Sequence, residues 1–87
     1  IAKAAKALAA AGFANAGQVC ISAQRVIAQK KIHSELVEAL QARVAEHRMG
    51  DPLADETTIG PLVREADARR VEQWIGEAAQ QGARLLT

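Results

Sequence analysis

The chain has 87 residues, of which 49% are apolar and 24% charged, and its formal net charge is +1. A charge this small excludes the strong field that gathers nucleic acid or anionic lipid, and no apolar run is long enough for a membrane span. The single cysteine excludes an internal disulfide and leaves no second thiol for zinc. We therefore expect a soluble, cytoplasmic protein with no metal, no nucleic-acid partner and no membrane.

The first predicted element is a helix rich in alanine. It runs from Ala2 to about Gly12, because alanine has the highest helix propensity and glycine commonly ends a helix in a left-handed conformation. The segment 13–20, FANAGQVC, then predicts a tight loop, since asparagine and glycine favour turns. We expect this loop to lead into a short helical turn at Cys20.

A strand and a second helix are predicted next. Residues 24–32 are enriched in β-branched side chains and predict a strand. Apolar residues at helical spacing predict a helix from Ser34 to about Arg48, which Gly50 and Pro52 terminate.

A long loop and a third helix complete the pattern. Residues 50–63 contain both prolines of the chain, and an apolar stripe then predicts a helix that ends at Gly82. The last five residues, 83–87, predict the start of a second strand. This alternation indicates the α/β class: residues 1–87 form part of a parallel-sheet domain, mostly helical with one or two strands and no internal boundary. We expect both ends to continue into a longer parent chain.

The most informative single residue is Cys20. Composition alone favours a small buried hydrophobic residue. The loop favours a nucleophile instead, because the first turn of a helix stabilises a thiolate and Gly17 lets the backbone approach a ligand closely. Free N–H groups near Cys20 would also stabilise an oxyanion formed on attack.

Two motifs resemble a known family. Phe13, Asn15, Gly17, Gln18 and Cys20 match, in order and spacing, the cysteine signature of the aldehyde dehydrogenase superfamily. A second motif resembles the loop that lies downstream in that family, and it consists of Gly50, Asp51, Pro52, Thr57, Gly60, Pro61 and Leu62. Arg25 and the apolar run after it resemble the strand that follows the nucleophile in the family. The sequence departs from the family's pattern at Ala54, Asp55 and Arg64, and these differences affect the stability of the loop and of the third helix.

The resemblance implies a mechanism centred on Cys20. Its thiolate would attack an aldehyde to give a thiohemiacetal, pass hydride to NAD or NADP and leave a thioester for water or coenzyme A. The family's base, its oxyanion amide and its cofactor-binding domain are absent from this chain, so cofactor-binding residues are unknown and Asn15 is assigned to loop shape. The expected partners are a small-molecule aldehyde, the remainder of the parent chain and further copies of the parent in a homo-oligomer, and we expect the chain alone to be inactive.

Other residues have simpler interpretations. His33 and His47 are interpreted as surface residues of the second helix, and the carboxylates around Asp51 as loop residues. Trp74 lies on the apolar stripe of the third helix and is expected to be buried in a core or an interface. The alternative function is a noncatalytic helical interaction module that docks a partner on such a stripe.

Overall fold

A computed structural model describes all 87 residues and contains three α-helices and two short 3₁₀ turns. The helices are α1, Ala2–Phe13; α2, His33–Val44; and α3, Glu65–Gln80; the 3₁₀ turns are Ala14–Gly17 and Lys30–Ile32. Helices α1 and α2 pack together and bury Ala5, Ala9 and Leu36. Because two of these three side chains are methyl groups, the core is small, and most of the chain remains exposed.

Helix α1 forms where the alanine-rich sequence predicts it, but the prediction for its end is wrong. Gly12 lies inside the helix, and the left-handed backbone falls later, on residues 15–17. The segment after Cys20 folds back and hydrogen-bonds the last carbonyls of α1. Since those carbonyls already have donors, the helix needs no glycine cap.

Neither predicted strand forms. Residues 24–29 are irregular and Lys30–Ile32 is a 3₁₀ turn, while residues 83–87 are also irregular. A strand needs a neighbouring strand to accept and donate its backbone hydrogen bonds, and the chain supplies only an isolated parallel bridge between Met49 and Ile59. The mostly helical character is confirmed, whereas the expected parallel sheet is not formed by this chain.

Helix α2 ends four residues before the predicted end. Its last residue is Val44, and Arg48 instead belongs to the long loop. The N–H of Arg48 donates to the Thr58 side-chain oxygen at 2.8 Å, and its carbonyl accepts from the N–H groups of Thr58 and Ile59 at 2.9 and 3.0 Å. These contacts close the loop at its base, and they replace the bonds that a longer helix would have made.

The prediction of a third helix ending at Gly82 is confirmed: α3 ends at Gln80, and Gly82 has a φ of +97°. Arg64 precedes α3 without capping it through its side chain; its guanidinium instead pairs with Asp67 at 3.0 Å. The hydrogen bond from Arg64, aided by the charge of Arg70, holds the pKa of the Asp67 carboxyl below its usual value. An acidic group in the first turn also complements the helix dipole.

Helix α3 lies apart from the other two helices. No Cα atom of α3 comes within 8 Å of one in α1 or α2, and its stripe of Val71, Trp74 and Ile75 is exposed. Trp74 is 58% exposed, with the Arg70 guanidinium 5.4 Å from its ring centroid. Within this chain Trp74 is therefore not buried, and its burial in the full protein stays a prediction. No helix of the chain combines the length and hydrophobicity that crossing a lipid bilayer requires.

Gly76, inside α3, offers a test of how far the helix propensity of its own residues stabilises this helix. A Cβ added at Gly76 would have no neighbour within 4 Å. We expect Gly76→Ala to stabilise α3 by about 1 kcal/mol, because alanine loses less backbone entropy in a helix. Circular dichroism of the 87-residue chain should show more helix, whereas Gly60→Ala in the loop should not. An unchanged helix content for Gly76→Ala would contradict the prediction.

Candidate functional site

Cys20 lies in an exposed turn that follows the Ala14–Gly17 3₁₀ turn. The turn is closed by the N–H of Ser22, which donates to the carbonyl of Val19 at 3.0 Å, and no helix follows it. The predicted helical turn at Cys20 is therefore wrong, and this chain offers its sulfur no helix N-terminus. The thiol is nevertheless open to solvent, as a nucleophile must be.

The residue that anchors the far side of this turn is Ser22. Its hydroxyl lies 3.2 Å from the carbonyl oxygens of both Ala11 and Gly12, and the N–H of Ala23 donates to Ala11 at 3.2 Å. Together these bonds fix the chain after Cys20 to the end of α1. Sequence reasoning missed Ser22, because its partners lie 10 and 11 residues earlier and a lone serine carries no signal for such a contact.

The near side of the turn has a left-handed backbone. Asn15, Ala16 and Gly17 have φ values of +50°, +55° and +75°. For a residue with a Cβ this conformation costs roughly 1–2 kcal/mol, and such strain often marks a functional site. Asn15 supports the turn: its carbonyl accepts from the N–H of Gln18 at 3.1 Å, and its amide lies 3.4 Å from the Gln18 carbonyl. These contacts suit the loop-shaping role assigned to Asn15.

Gln18 connects the two motifs that the sequence singles out. Its side-chain nitrogen donates to the carbonyl of Pro61 at 3.4 Å, and its side-chain oxygen accepts from the N–H of Val63 at 3.2 Å. A cleft of about 810 Å³ runs along this junction; its lining includes Gly17, Gln18, Gly60, Pro61 and Leu62. Cys20 does not line the cleft, so the turn places the thiol outside it.

The remaining signature residue, Phe13, ends α1 and packs on His47. Their ring centroids are 5.1 Å apart at an interplanar angle of 32°, and the Nδ1 atom of His47 lies 3.4 Å from the hydroxyl oxygen of Thr58. The surface-helix interpretation holds for His33, the exposed first residue of α2, but is wrong for His47, which lies in the loop beyond α2. Neither histidine hydrogen-bonds to Cys20.

Acidic residues form no further site. Asp51 accepts a hydrogen bond from the N–H of Leu53 at 2.9 Å, so its side chain supports the loop turn. No group of three or more histidine, cysteine, aspartate or glutamate side chains is arranged to hold a metal ion.

The residues of this chain also do not fit a dinucleotide. Phosphate-binding turns combine closely spaced glycines with the start of a helix. Helices α2 and α3 start after Ile32 and Arg64, with no glycine-rich turn before either of them. Neither of these helix starts therefore offers a phosphate-binding turn for NAD(P).

Comparisons with known proteins give the family of this chain. The model of the aldehyde dehydrogenase family matches residues 1–87. A 3-sulfolactaldehyde dehydrogenase of Priestia aryabhattai is 40% identical over 83 residues, which are 95% of this chain and 17% of that protein. GabD of Escherichia coli (strain K12), a succinate-semialdehyde dehydrogenase (NADP(+)), is 38% identical over 84 residues, 97% of this chain and 17% of its own.

A succinate-semialdehyde dehydrogenase (NADP(+)) of Mycobacterium leprae (strain TN) is 45% identical over 69 residues, 79% of this chain and 15% of that protein. The chain thus spans 15–17% of the length of these relatives. No solved structure shows a significant match. The resemblance inferred from the residues is confirmed, and the chain belongs to the aldehyde dehydrogenase family.

Proposed function

We propose that this chain is the nucleophile-bearing segment of an NAD(P)-dependent, cytoplasmic aldehyde dehydrogenase, with Cys20 as the attacking residue. One observation carries the proposal: the only cysteine of the chain is exposed, and it lies within the family signature. The turn that presents it is fixed on both sides, by Gln18 before the thiol and by Ser22 after it. A fixed, solvent-open thiol is the arrangement that covalent catalysis requires.

The chemistry assigned to this chain is the first covalent step. The Cys20 thiolate forms a carbon–sulfur bond to the aldehyde carbon, and the carbonyl electron pair moves to oxygen, giving a thiohemiacetal oxyanion. The backbone N–H groups of Cys20 and Ile21 donate to no other group of the chain, so they are free to bind that oxyanion. When bound, the nicotinamide dinucleotide supplies the acceptor for the hydride. Loss of that hydride would leave the acyl group on the Cys20 sulfur as a thioester, from which water or coenzyme A would accept it.

The names of the relatives support a substrate class. The Priestia protein is named for 3-sulfolactaldehyde and GabD for succinate semialdehyde, and each of these aldehydes carries an anionic group, a sulfonate or a carboxylate. We therefore extend the proposal to short aldehydes that carry an anion. Fixed charge complementarity distinguishes such substrates from neutral aldehydes of the same length.

The intact protein is expected to oxidise succinate semialdehyde or 3-sulfolactaldehyde with kcat/KM at least about tenfold above that for butanal, since one charge-assisted contact contributes roughly 1.5–3 kcal/mol. Formation of reduced nicotinamide with NAD and with NADP measures this directly. The 87-residue chain alone should show no turnover. An equal kcat/KM for butanal would contradict the proposed anionic substrate class. A protein that turned over no aldehyde would contradict the proposed activity.

The second candidate is a noncatalytic interaction module. The exposed stripe of Val71, Trp74 and Ile75 on α3 favours it, because an apolar helix face without a neighbour is a common docking surface. The fixed turn around Cys20 has no role in such a module. The two candidates therefore differ in whether function depends on the thiol.

A further inference from the structure

The Gln18 side chain makes an unusual set of contacts for an exposed residue. Its carboxamide nitrogen lies 3.4 Å from the carbonyl oxygens of both Asn15 and Pro61, and its carboxamide oxygen accepts from the N–H of Val63 at 3.2 Å. Two of these partners are 43 and 45 residues away in the sequence. A side chain that uses both its donor and its acceptor on backbone groups has a defined orientation.

These bonds join the turn of Cys20 to residues 60–63, the segment that leads into α3. Residues 60–63 make no hydrogen bond to any part of the chain other than Gln18, and no Cα atom of α3, which follows them, lies within 8 Å of one in α1 or α2. Gln18 therefore holds the turn of Cys20 to the segment that leads into α3.

Gln18 and Ser22 lie on either side of Cys20 in the sequence. Gln18 is two residues before Cys20, and Ser22, which binds the end of α1, is two residues after it. The turn is thus held at both ends by bonds to different elements. Covalent catalysis is sensitive to such placement, since a displacement of about 1 Å can cost roughly a hundredfold in rate.

We propose that Gln18 is a positioning residue, whose amide bridge to Pro61 and Val63 sets the orientation in which Cys20 meets its electrophile. The proposal rests on the proposed function of Cys20, and it adds a role for a side chain that touches no reacting atom. It requires both halves of the amide: the nitrogen donates to a carbonyl, and the oxygen accepts from an N–H. A carboxylate at this position retains only the acceptor, and a thioether retains neither in useful strength.

The test uses the intact protein with Gln18→Met and Gln18→Glu. The matched control is Gln24→Met, because Gln24 is exposed and makes no side-chain hydrogen bond. Iodoacetamide alkylation of Cys20 is followed by mass spectrometry, and kcat and KM for the aldehyde are measured beside it. We expect Gln18→Met to lower the alkylation rate and kcat about tenfold with little change in KM. Gln24→Met should match the wild type.

Two readouts separate positioning from a general loss of structure. The ratio of the Gln18→Glu alkylation rate to that of the wild type should rise as the pH falls, because a protonated carboxyl regains a donor, whereas the Gln18→Met ratio should stay flat. Leu36→Val weakens the core between α1 and α2 away from the turn and should leave the alkylation rate unchanged.

Wild-type alkylation in Gln18→Met, or an equal loss in Leu36→Val, would overturn the proposal. Alkylation does not depend on turnover, so the two proposals fail separately. If the protein oxidised no aldehyde but Gln18→Met still slowed the alkylation of Cys20, the dehydrogenase function would be wrong. The positioning role of Gln18 would still be supported.

Discussion

Replacing Cys20 with alanine in the intact protein is expected to lower kcat for aldehyde oxidation by on the order of 10⁴-fold or more. In the proposed mechanism the thiolate forms the carbon–sulfur bond to the aldehyde, and no second cysteine is available in this chain to replace it. Because Cys20 is exposed, its removal leaves no cavity, and the midpoint of thermal unfolding should not change. Steady-state formation of reduced nicotinamide measures the loss.

A covalent readout makes this test specific. Acid-quenched wild-type protein should carry an acyl adduct on the peptide that contains Cys20, and the alanine variant should carry none. Glu38→Ala serves as the matched control, since Glu38 is exposed on α2 and lies 18 residues after Cys20 in the sequence. If Cys20→Ala kept normal turnover, the sulfur would have no catalytic role and the interaction module would become the better explanation.

The sequence could predict the elements whose conformation depends on neighbouring residues, but not those that depend on partners far away in the sequence. Helix α1 follows from its alanines and α3 from an apolar stripe at helical spacing, so both were predictable from neighbouring residues alone. The strand predicted over residues 24–32 depends on neighbouring strands that this chain does not contain, and β-branched residues cannot supply those partners. The end of α2 was missed for a similar reason, because Arg48 bonds to Thr58 across the loop.

In the candidate site, too, local sequence was informative and long-range contacts were not predictable. The proposed nucleophile was inferred from a short pattern in which Gly17, Gln18 and Cys20 lie close together in sequence. How the turn is fixed was not readable, since the partners of Gln18 are 43 and 45 residues away and those of Ser22 are 10 and 11 residues away. A motif therefore indicated the proposed reacting atom, while the bonds that hold its turn could be found only in the three-dimensional structure.

The left-handed turn before Cys20 leads to the second large effect. Gly17→Val is expected to destabilise the protein by about 1–2 kcal/mol and to lower kcat roughly a hundredfold. Gly17 has a φ of +75°, and the nearest atom to an added Cβ is the carbonyl oxygen of Gly12, at an ordinary 3.6 Å. The cost is therefore conformational and not a steric clash. To relieve it, the backbone must leave the left-handed region three residues before the thiol.

Gly82→Val supplies the matched control for this substitution. Gly82 also has a positive φ, +97°, and a Cβ there would meet nothing within 4 Å, but it follows α3 and is not part of the turn. Both variants should lower the midpoint of thermal unfolding, and only Gly17→Val should also slow turnover and the alkylation of Cys20. If both variants lost activity equally, the turn would contribute stability alone. The strained backbone at residues 15–17 would then have no part in presenting the thiol.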